Sequence, residues 1–429
     1  MTDTIFAPIT GRGGAVTVIR ISGPLALSIT AELAGGLPKP RHTSLRKLRW
    51  QGQLLDHALV TIFPGAQSFT GEDCTELALH GGRAVLSAVS AAITFQGARY
   101  AEPGEFSRRA HGNGRMNLLE AEAMADLIAA ETEAQRRLAV DGADALQSAC
   151  LRWREALRQA MAQQEALIDF PDEDLPPEIE VALIARIAGL RDEMLAALAG
   201  SPAAERLREG LEFVILGPPN AGKSTLLNAL AGEEIAIVSE IPGTTRDAVG
   251  SRIDLGGVPV HLTDTAGLRD TEDFLEAEGI RRARLRAGKA DLIIAVAAAP
   301  DPVFSETPAG VEVIRVITKA DLAENFPPGI LLVSASAGQG MPQLREILAD
   351  AASRLTDTKG AAALSRPRQI ACVRDTAACL ARALTLALDE PELRGEELRA
   401  AAHELSRLMG VIGVEEILDA VFSGFCIGK

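Results

Sequence analysis

The segment GPPNAGKS, Gly217 to Ser224, lies between the apolar run LEFVIL and the helix-like TLLNALAG. The spacing G-x-x-x-x-G-K-[ST] between a strand and a helix makes a phosphate cradle, because the N–H groups of a tight loop and of a helix start are left facing an anion. Asn220, Ala221, Gly222, Lys223, Ser224 and Thr225 are expected to line it. Lys223 would reach the outer phosphates, and the Ser224 hydroxyl would ligate Mg2+.

Three further segments follow in an order that selects the nucleotide. SEIPGTTRD carries Ser239, Glu240, Ile241, Pro242, Gly243, Thr244 and Thr245. Its threonines can give a hydroxyl to magnesium only when the loop closes over a triphosphate, and Thr245 is taken with Ser224 as the magnesium pair. DTAG, comprising Asp264, Thr265, Ala266 and Gly267, ends the next apolar run; its acid can hold magnesium through water, and its glycine N–H can meet the γ-phosphate. TKAD, comprising Thr318, Lys319, Ala320 and Asp321, offers a carboxylate to guanine N1–H and N2–H2, a donor pair adenine lacks. SAS, comprising Ser334, Ala335 and Ser336, can donate a backbone N–H to the guanine carbonyl. Together they indicate a GTP-binding, GTP-hydrolysing P-loop domain.

The hydrolytic step differs from that of Ras-like proteins. Those use a glutamine after the DTAG-type glycine to orient water, whereas Leu268 stands here and cannot. No arginine finger can be assigned from the sequence. Asn220, beside the phosphates, could instead help hold a monovalent cation.

The elements around these motifs fill a chain of 429 residues, two to three domains' worth, with 47% hydrophobic and only 3% aromatic content. Burial must therefore come largely from aliphatic helix packing. Residues 1–115 mix β-rich runs (AVTVIRISG, HALVTIFPG, TELALHGG) with glycine turns and read as an α/β domain. Residues 116–208 and 357–429 read as two parts of one helical domain, with Val373, Ala377, Leu380, Leu384 and Leu388 at helical spacing and a break at Pro176 and Pro177. Residues 209–356, where short strands alternate with helices, read as an inserted Ras-like domain on a parallel sheet. The fold class is thus multi-domain, α/β plus α.

A net charge of −15 argues against nonspecific polyanion binding over most of the surface, and the basic clusters Arg41 to Arg49 and Arg281 to Lys289 read as solvated faces. Cys74, Cys150, Cys372, Cys379 and Cys426 lack metal or disulfide spacing, which suits a reducing, cytoplasmic compartment. The start MTDTIFAPIT has no basic segment before an apolar run, and no apolar stretch suits a membrane span. His80 and His111 have no paired ligand pattern and read as loop residues.

The phosphate loop with its asparagine, GTTRD, DTAGLR, the interrupted helical domain and the terminal FCIGK together resemble the MnmE (TrmE) family, GTPases of tRNA wobble-uridine modification. GRGGAVTVIRISG, SFTGEDCTEL and PGEFSRRA extend the resemblance over essentially the whole chain. It implies a homodimer, potassium-stimulated hydrolysis as two G domains face one another, and a folate, 5-formyl- or methylene-tetrahydrofolate. It also implies a heterotetramer with the flavoprotein MnmG, which installs a carboxymethylaminomethyl- or aminomethyl-type group on C5 of wobble uridine in tRNA.

Carried over residue by residue, the resemblance places folate on Arg20, Glu76, Arg115 and Lys429, and potassium on Asn220, Ser239, Ile241 and Thr244. It makes Glu276 the acid that orients water, a choice spacing alone does not make among Glu272, Asp273, Glu276 and Glu278. Arg115 stands where lysine is usual, keeping charge but not geometry. Thr318 stands where asparagine is usual, so GTP preference should survive through Asp321 while bracing of the loop and affinity weaken. Cys426 in FCIGK is a candidate for chemistry at the tail; prenylation does not fit, because Lys429 follows and no polybasic run precedes it. Two other functions fit the G domain alone: a regulatory GTP switch in ribosome or RNA assembly, and a structural scaffold for MnmG.

Overall fold

The computed structural model describes residues 3–11, 13–169, 177–233, 250–264, 285–322, 330–358, 363–386 and 390–410. They fall into two compact units, one holding the chain up to Ala125 together with the end of the last helix from Leu405, the other running from Asp126 to Glu404.

In the first unit, β1 (Ile5–Pro8), β2 (Val16–Ser22), β3 (Ser44–Trp50), β4 (Gln53–Phe63), β5 (Cys74–His80) and β6 (Arg99–Tyr100) form one sheet in the order β3-β4-β5-β2-β1-β6. Alternation along β2 sends Ile19 and Ile21 to the face covered by α1 (Ala26–Ala34) and α2 (Arg83–Phe95), where they join Ile29, Leu33, Val89 and Ile93. Arg20 lies between them in sequence and so takes the opposite face. There Ile5, Ala7, Ala101 and Phe106 form a smaller core with Ile9 and Phe69. Phe106 belongs to α3 (Glu105–Gly112), which follows Gly104 in a left-handed conformation at φ 69°. Arg46, Lys47 and Arg49 of the first basic cluster sit on β3, an edge strand, where charge discourages pairing with a foreign sheet. α4 spans Leu118–Ala129.

In the second unit, α5 (Glu133–Arg137) opens on a capping box in which the Thr132 and Gln135 side chains accept each other's backbone N–H. A π-helical turn, Leu138–Gly142, leads into α6 (Ala143–Asp169). α7 (Pro177–Glu209) starts on Pro177, which is tolerated there because a first-turn residue needs no N–H partner.

The chain then enters a six-stranded sheet made of β7 (Leu211–Leu216), β8 (Gly250–Leu255), β9 (Val258–Asp264), β10 (Leu292–Ala298), β11 (Glu312–Thr318) and β12 (Leu331–Leu332), in the order β12-β11-β10-β7-β9-β8. α8 (Lys223–Glu233) and α9 (Met341–Leu355) complete this part, and their Leu226, Leu230, Leu344 and Leu348 pack on Phe213, Ile215, Val260 and Leu262. α10 (Pro367–Thr385) returns to lie against α7, and α11 spans Pro391–Met409.

One expectation changes. β8 pairs antiparallel with β9, with Leu255 opposite Val258 across the turn Gly256–Gly257, so the sheet is not parallel throughout. The Gly-Gly pair supplies the two positive φ angles such a hairpin needs, 64° and 90°. Among the described residues, no helix is long and apolar enough to cross a membrane.

Candidate functional site

The carboxyl end of β7 delivers the chain into the phosphate loop from the middle of the sheet, flanked by β10 and β9. At Gly217 the backbone passes so close to β10 that an added Cβ would stand 2.3 Å from the Val296 carbonyl oxygen. Only glycine fits. Asn220 and Gly222 take φ values of 60° and 81° with Ala221 between them, an alternation that turns successive N–H groups toward one centre.

Lys223 begins α8, and its Nζ donates to the Gly217 and Pro218 carbonyls at 2.9 Å each, so the ammonium lies over the loop it belongs to. Burial lowers its pKa from the ordinary lysine value, and the nearby Asp264 charge offsets this only in part. A ligand carrying negative charge would restore the favourable field and draw the ammonium from the carbonyls.

The Ser224 Oγ donates to Asp264 Oδ2 at 2.5 Å, joining the start of α8 to the end of β9. A hydroxyl and a buried carboxylate meeting at the mouth of a phosphate loop are hard oxygen donors of the kind Mg2+ takes alongside phosphate and water. These two residues fit the ion.

The base-reading end is tied to the same loop. The Thr318 side chain, 5% exposed, donates to the Ala221 carbonyl at 2.6 Å and lies 3.1 Å from that of Ala297. The weakened brace expected from threonine in place of asparagine is therefore replaced by a short hydroxyl brace onto the phosphate loop. Lys319 takes a φ of 56°, and the Ala320 N–H donates to the Val333 carbonyl at 3.0 Å. Ser334 Oγ donates to Asp321 Oδ1 at 2.7 Å, fixing the carboxylate while its other oxygen keeps its lone pairs. Ser336 Oγ lies 3.2 Å from Ser334 Oγ, and Ala335 connects the two. Thr225 occupies the first turn of α8.

In the first unit Arg20 and Glu76 face each other across β2 and β5, and the Arg20 Nε and Nη2 both donate to Glu76 Oε1, at 3.1 and 2.8 Å. Arg115 is exposed, and its stem packs on the turn at Gly71, where an added Cβ would come 3.1 Å from Arg115 Cγ. Ser239, Glu240, Ile241, Pro242, Gly243, Thr244, Thr245, Thr265, Ala266, Gly267, Leu268, Glu276, Cys426 and Lys429 lie outside the described residues. Of the four potassium candidates, Asn220 alone is described.

The two histidines read as loop residues are in regular structure. His80 ends β5, and its Nδ1 lies 2.7 Å from Asp56 Oδ1; His111 lies within α3, with Nδ1 3.0 Å from the Met116 carbonyl. Sequence reasoning also passed over Phe69, Phe106 and Arg109, which surround Arg20 and its supports. The signal was present in SFTGEDC and PGEFSRRA, segments used only as marks of resemblance.

A glycine-bound loop between strand and helix, a serine and an aspartate meeting at its mouth and a carboxylate braced by Ser334 are the arrangement of a P-loop GTPase. Residues 4–115 match the family model described as the GTP-binding protein TrmE N-terminus, and residues 118–426 match that of the MnmE helical domain. The tRNA modification GTPase MnmE of Acidiphilium cryptum is 58% identical over 429 residues, covering 100% of this chain and 99% of the relative. The protein of that name from Gluconacetobacter diazotrophicus is 51% identical over 435 residues, covering 99% and 98%. The chain belongs to the MnmE family of tRNA modification GTPases.

Proposed function

We propose that this chain is a potassium-stimulated GTPase which, with the flavoprotein MnmG, adds a carboxymethylaminomethyl- or aminomethyl-type group to C5 of wobble uridine in tRNA. The observation that carries the GTPase part is the Thr318 hydroxyl on the Ala221 carbonyl, which makes the guanine-reading and phosphate-binding segments one structural piece. Resemblance along the whole chain to proteins named tRNA modification GTPases supports the rest.

In this reading Asp321 selects guanine, the loop N–H groups from Asn220 to Thr225 hold the phosphates, and Lys223 leaves its loop carbonyls to neutralise charge on the outer two. Ser224 and Thr245 would hold Mg2+, with Asp264 as a further acid for it, and the bound ion would supply neutralisation of phosphate charge. Asn220 and Thr244, with backbone contacts at Ser239 and Ile241, would hold K+, which would supply positive charge in place of an arginine finger. Glu276 orients the attacking water, which Leu268 cannot do. The α/β domain of residues 1–115 binds a reduced folate through Arg20, Glu76, Arg115 and the tail Lys429, and Cys426, three residues before that lysine, is a candidate for chemistry at the tail. The protein works as a cytoplasmic homodimer, with residues 209–356 inserted between the two helical parts 116–208 and 357–429.

A turnover assay in potassium and in sodium at constant ionic strength tests this reading. Potassium should accelerate hydrolysis and sodium should not; Asn220→Ala should blunt the acceleration with less effect on GTP binding, and Glu276→Ala should slow turnover at saturating potassium. Equal rates in the two salts would remove the cation from the mechanism.

A further inference from the structure

SFTGEDC and PGEFSRRA have no assigned role in nucleotide chemistry, yet they meet around Arg20. Its guanidinium carbon lies 4.8 Å from the ring centre of Phe69 and 5.6 Å from that of Phe106, both within the range of cation–π attraction. Glu76 Oε1 takes Nε and Nη2, while among the described residues Nη1 and Glu76 Oε2 have no partner. The side chain is thus held on two aromatic faces and one carboxylate oxygen, with a donor edge and an acceptor left over.

The rings are themselves anchored. Arg109 of α3, 1% exposed, donates through Nη1 to Glu72 Oε2 at 3.1 Å and to the Asp3 carbonyl at 2.9 Å, and through Nη2 to Glu105 Oε1 at 3.0 Å. It therefore ties the helix carrying Phe106 to the loop carrying Phe69. Ser22 Oγ adds a bond to Glu72 Oε2 at 2.8 Å, and Asn113 Nδ2 donates to the Thr70 carbonyl at 2.7 Å. The same loop turns at Gly71, with a φ of 79°, against the Arg115 stem, so one charged frame around buried Arg109 supports Arg20 and Arg115, two of the cationic residues of the folate reading.

We propose that Phe69 and Phe106 are positioning residues for Arg20: they fix its guanidinium so that the unpartnered edge and Glu76 Oε2 are presented together to the polar edge of a reduced folate. This rests on the folate reading above. A guanidinium held on rings and a single carboxylate oxygen gives up few rotamers on binding, whereas a freely moving arginine gives up more.

The test is calorimetric titration of the full-length protein with 5-formyltetrahydrofolate, using wild type, Phe69→Leu, Phe69→Tyr, Phe106→Leu and Arg20→Ala. Each leucine variant should bind roughly three- to tenfold more weakly, the loss of one cation–π contact. Phe69→Tyr, which keeps the ring face, should restore wild-type affinity. Phe69 is only partly buried, so Phe69→Leu tests the contact without emptying a core. Wild-type affinity in Phe69→Leu, with binding lost in Arg20→Ala, would overturn this inference alone. Undiminished binding in Arg20→Ala would overturn the folate reading beneath it.

Discussion

Replacing Thr318 by valine removes one hydroxyl from the interior and leaves the shape nearly unchanged. That hydroxyl reaches the Ala221 carbonyl at 2.6 Å from a side chain 5% exposed, so water cannot easily take its place. Leaving a buried acceptor without its donor costs about 1–3 kcal/mol. If the loop bearing this cost holds the phosphates as proposed, the cost falls mainly on the nucleotide-bound geometry and should speed guanine-nucleotide release roughly five- to 150-fold. Stopped-flow release of a fluorescent GDP analogue measures this directly. Thr318→Ser, which keeps the hydroxyl, should stay near wild type, and Thr318→Asn should also hold the loop, since its amide can donate to the same carbonyl. An unchanged release rate in Thr318→Val would show that the contact does not brace the loop and would refute the reasoning.

Asp321→Asn should weaken GTP relative to xanthosine triphosphate, which carries oxygen at C2, and competition binding with undiminished guanine preference would remove the base-reading role. Arg109→Met should destabilise the first unit by about 1–3 kcal/mol, because it takes a buried donor from Glu72 and Glu105 while Ser22 and Arg99 still hold those carboxylates, and urea unfolding monitored on that unit would show it. Burial opposes ionisation of Glu105, but hydrogen bonds from Arg99, the Glu102 N–H and Arg109 outweigh it and hold its pKa below the ordinary 4.5. Its folded-state pKa being depressed, the stability it contributes is present above 4.5 and is lost as pH falls through the lower, folded value. Urea midpoints that do not fall over that acid range would contradict the sign.

What could be read from the sequence was what depends on local spacing. Gly217, Gly222, Lys223 and Ser224 are bound to one strand-to-helix turn, and Asp264, Thr318 and Ser334 each stand at or just past a strand end, so the order of apolar runs places them on one edge of a sheet. The β8–β9 hairpin escaped because VPVHLTD was read alone, without the preceding RIDLGG. The Arg109 frame escaped for a different reason. Asp3 and Glu72 are far in sequence from the helical pair Glu105 and Arg109, and a charged residue in a polar stretch gives no sign that it will be buried until the sheet and α3 close over it. Thr318 misled in a third way: judged by its difference from asparagine it looked like a lost contact, but a hydroxyl so near Ala221 needs no longer arm to reach the carbonyl.

Mass analysis of wobble uridine in tRNA is the most direct test of the central claim, carried out on cells lacking this protein and on the same cells supplied with wild type or with Glu276→Ala. The account predicts wobble uridine without its C5 substituent in the deletion, full restoration by wild type, and deficient restoration by the variant slowed in GTP hydrolysis. Unaltered wobble uridine in the deletion would contradict the assignment to tRNA modification and favour a regulatory switch. Full restoration by Glu276→Ala, with its slow turnover verified in vitro, would reduce the chain to a scaffold for its partner.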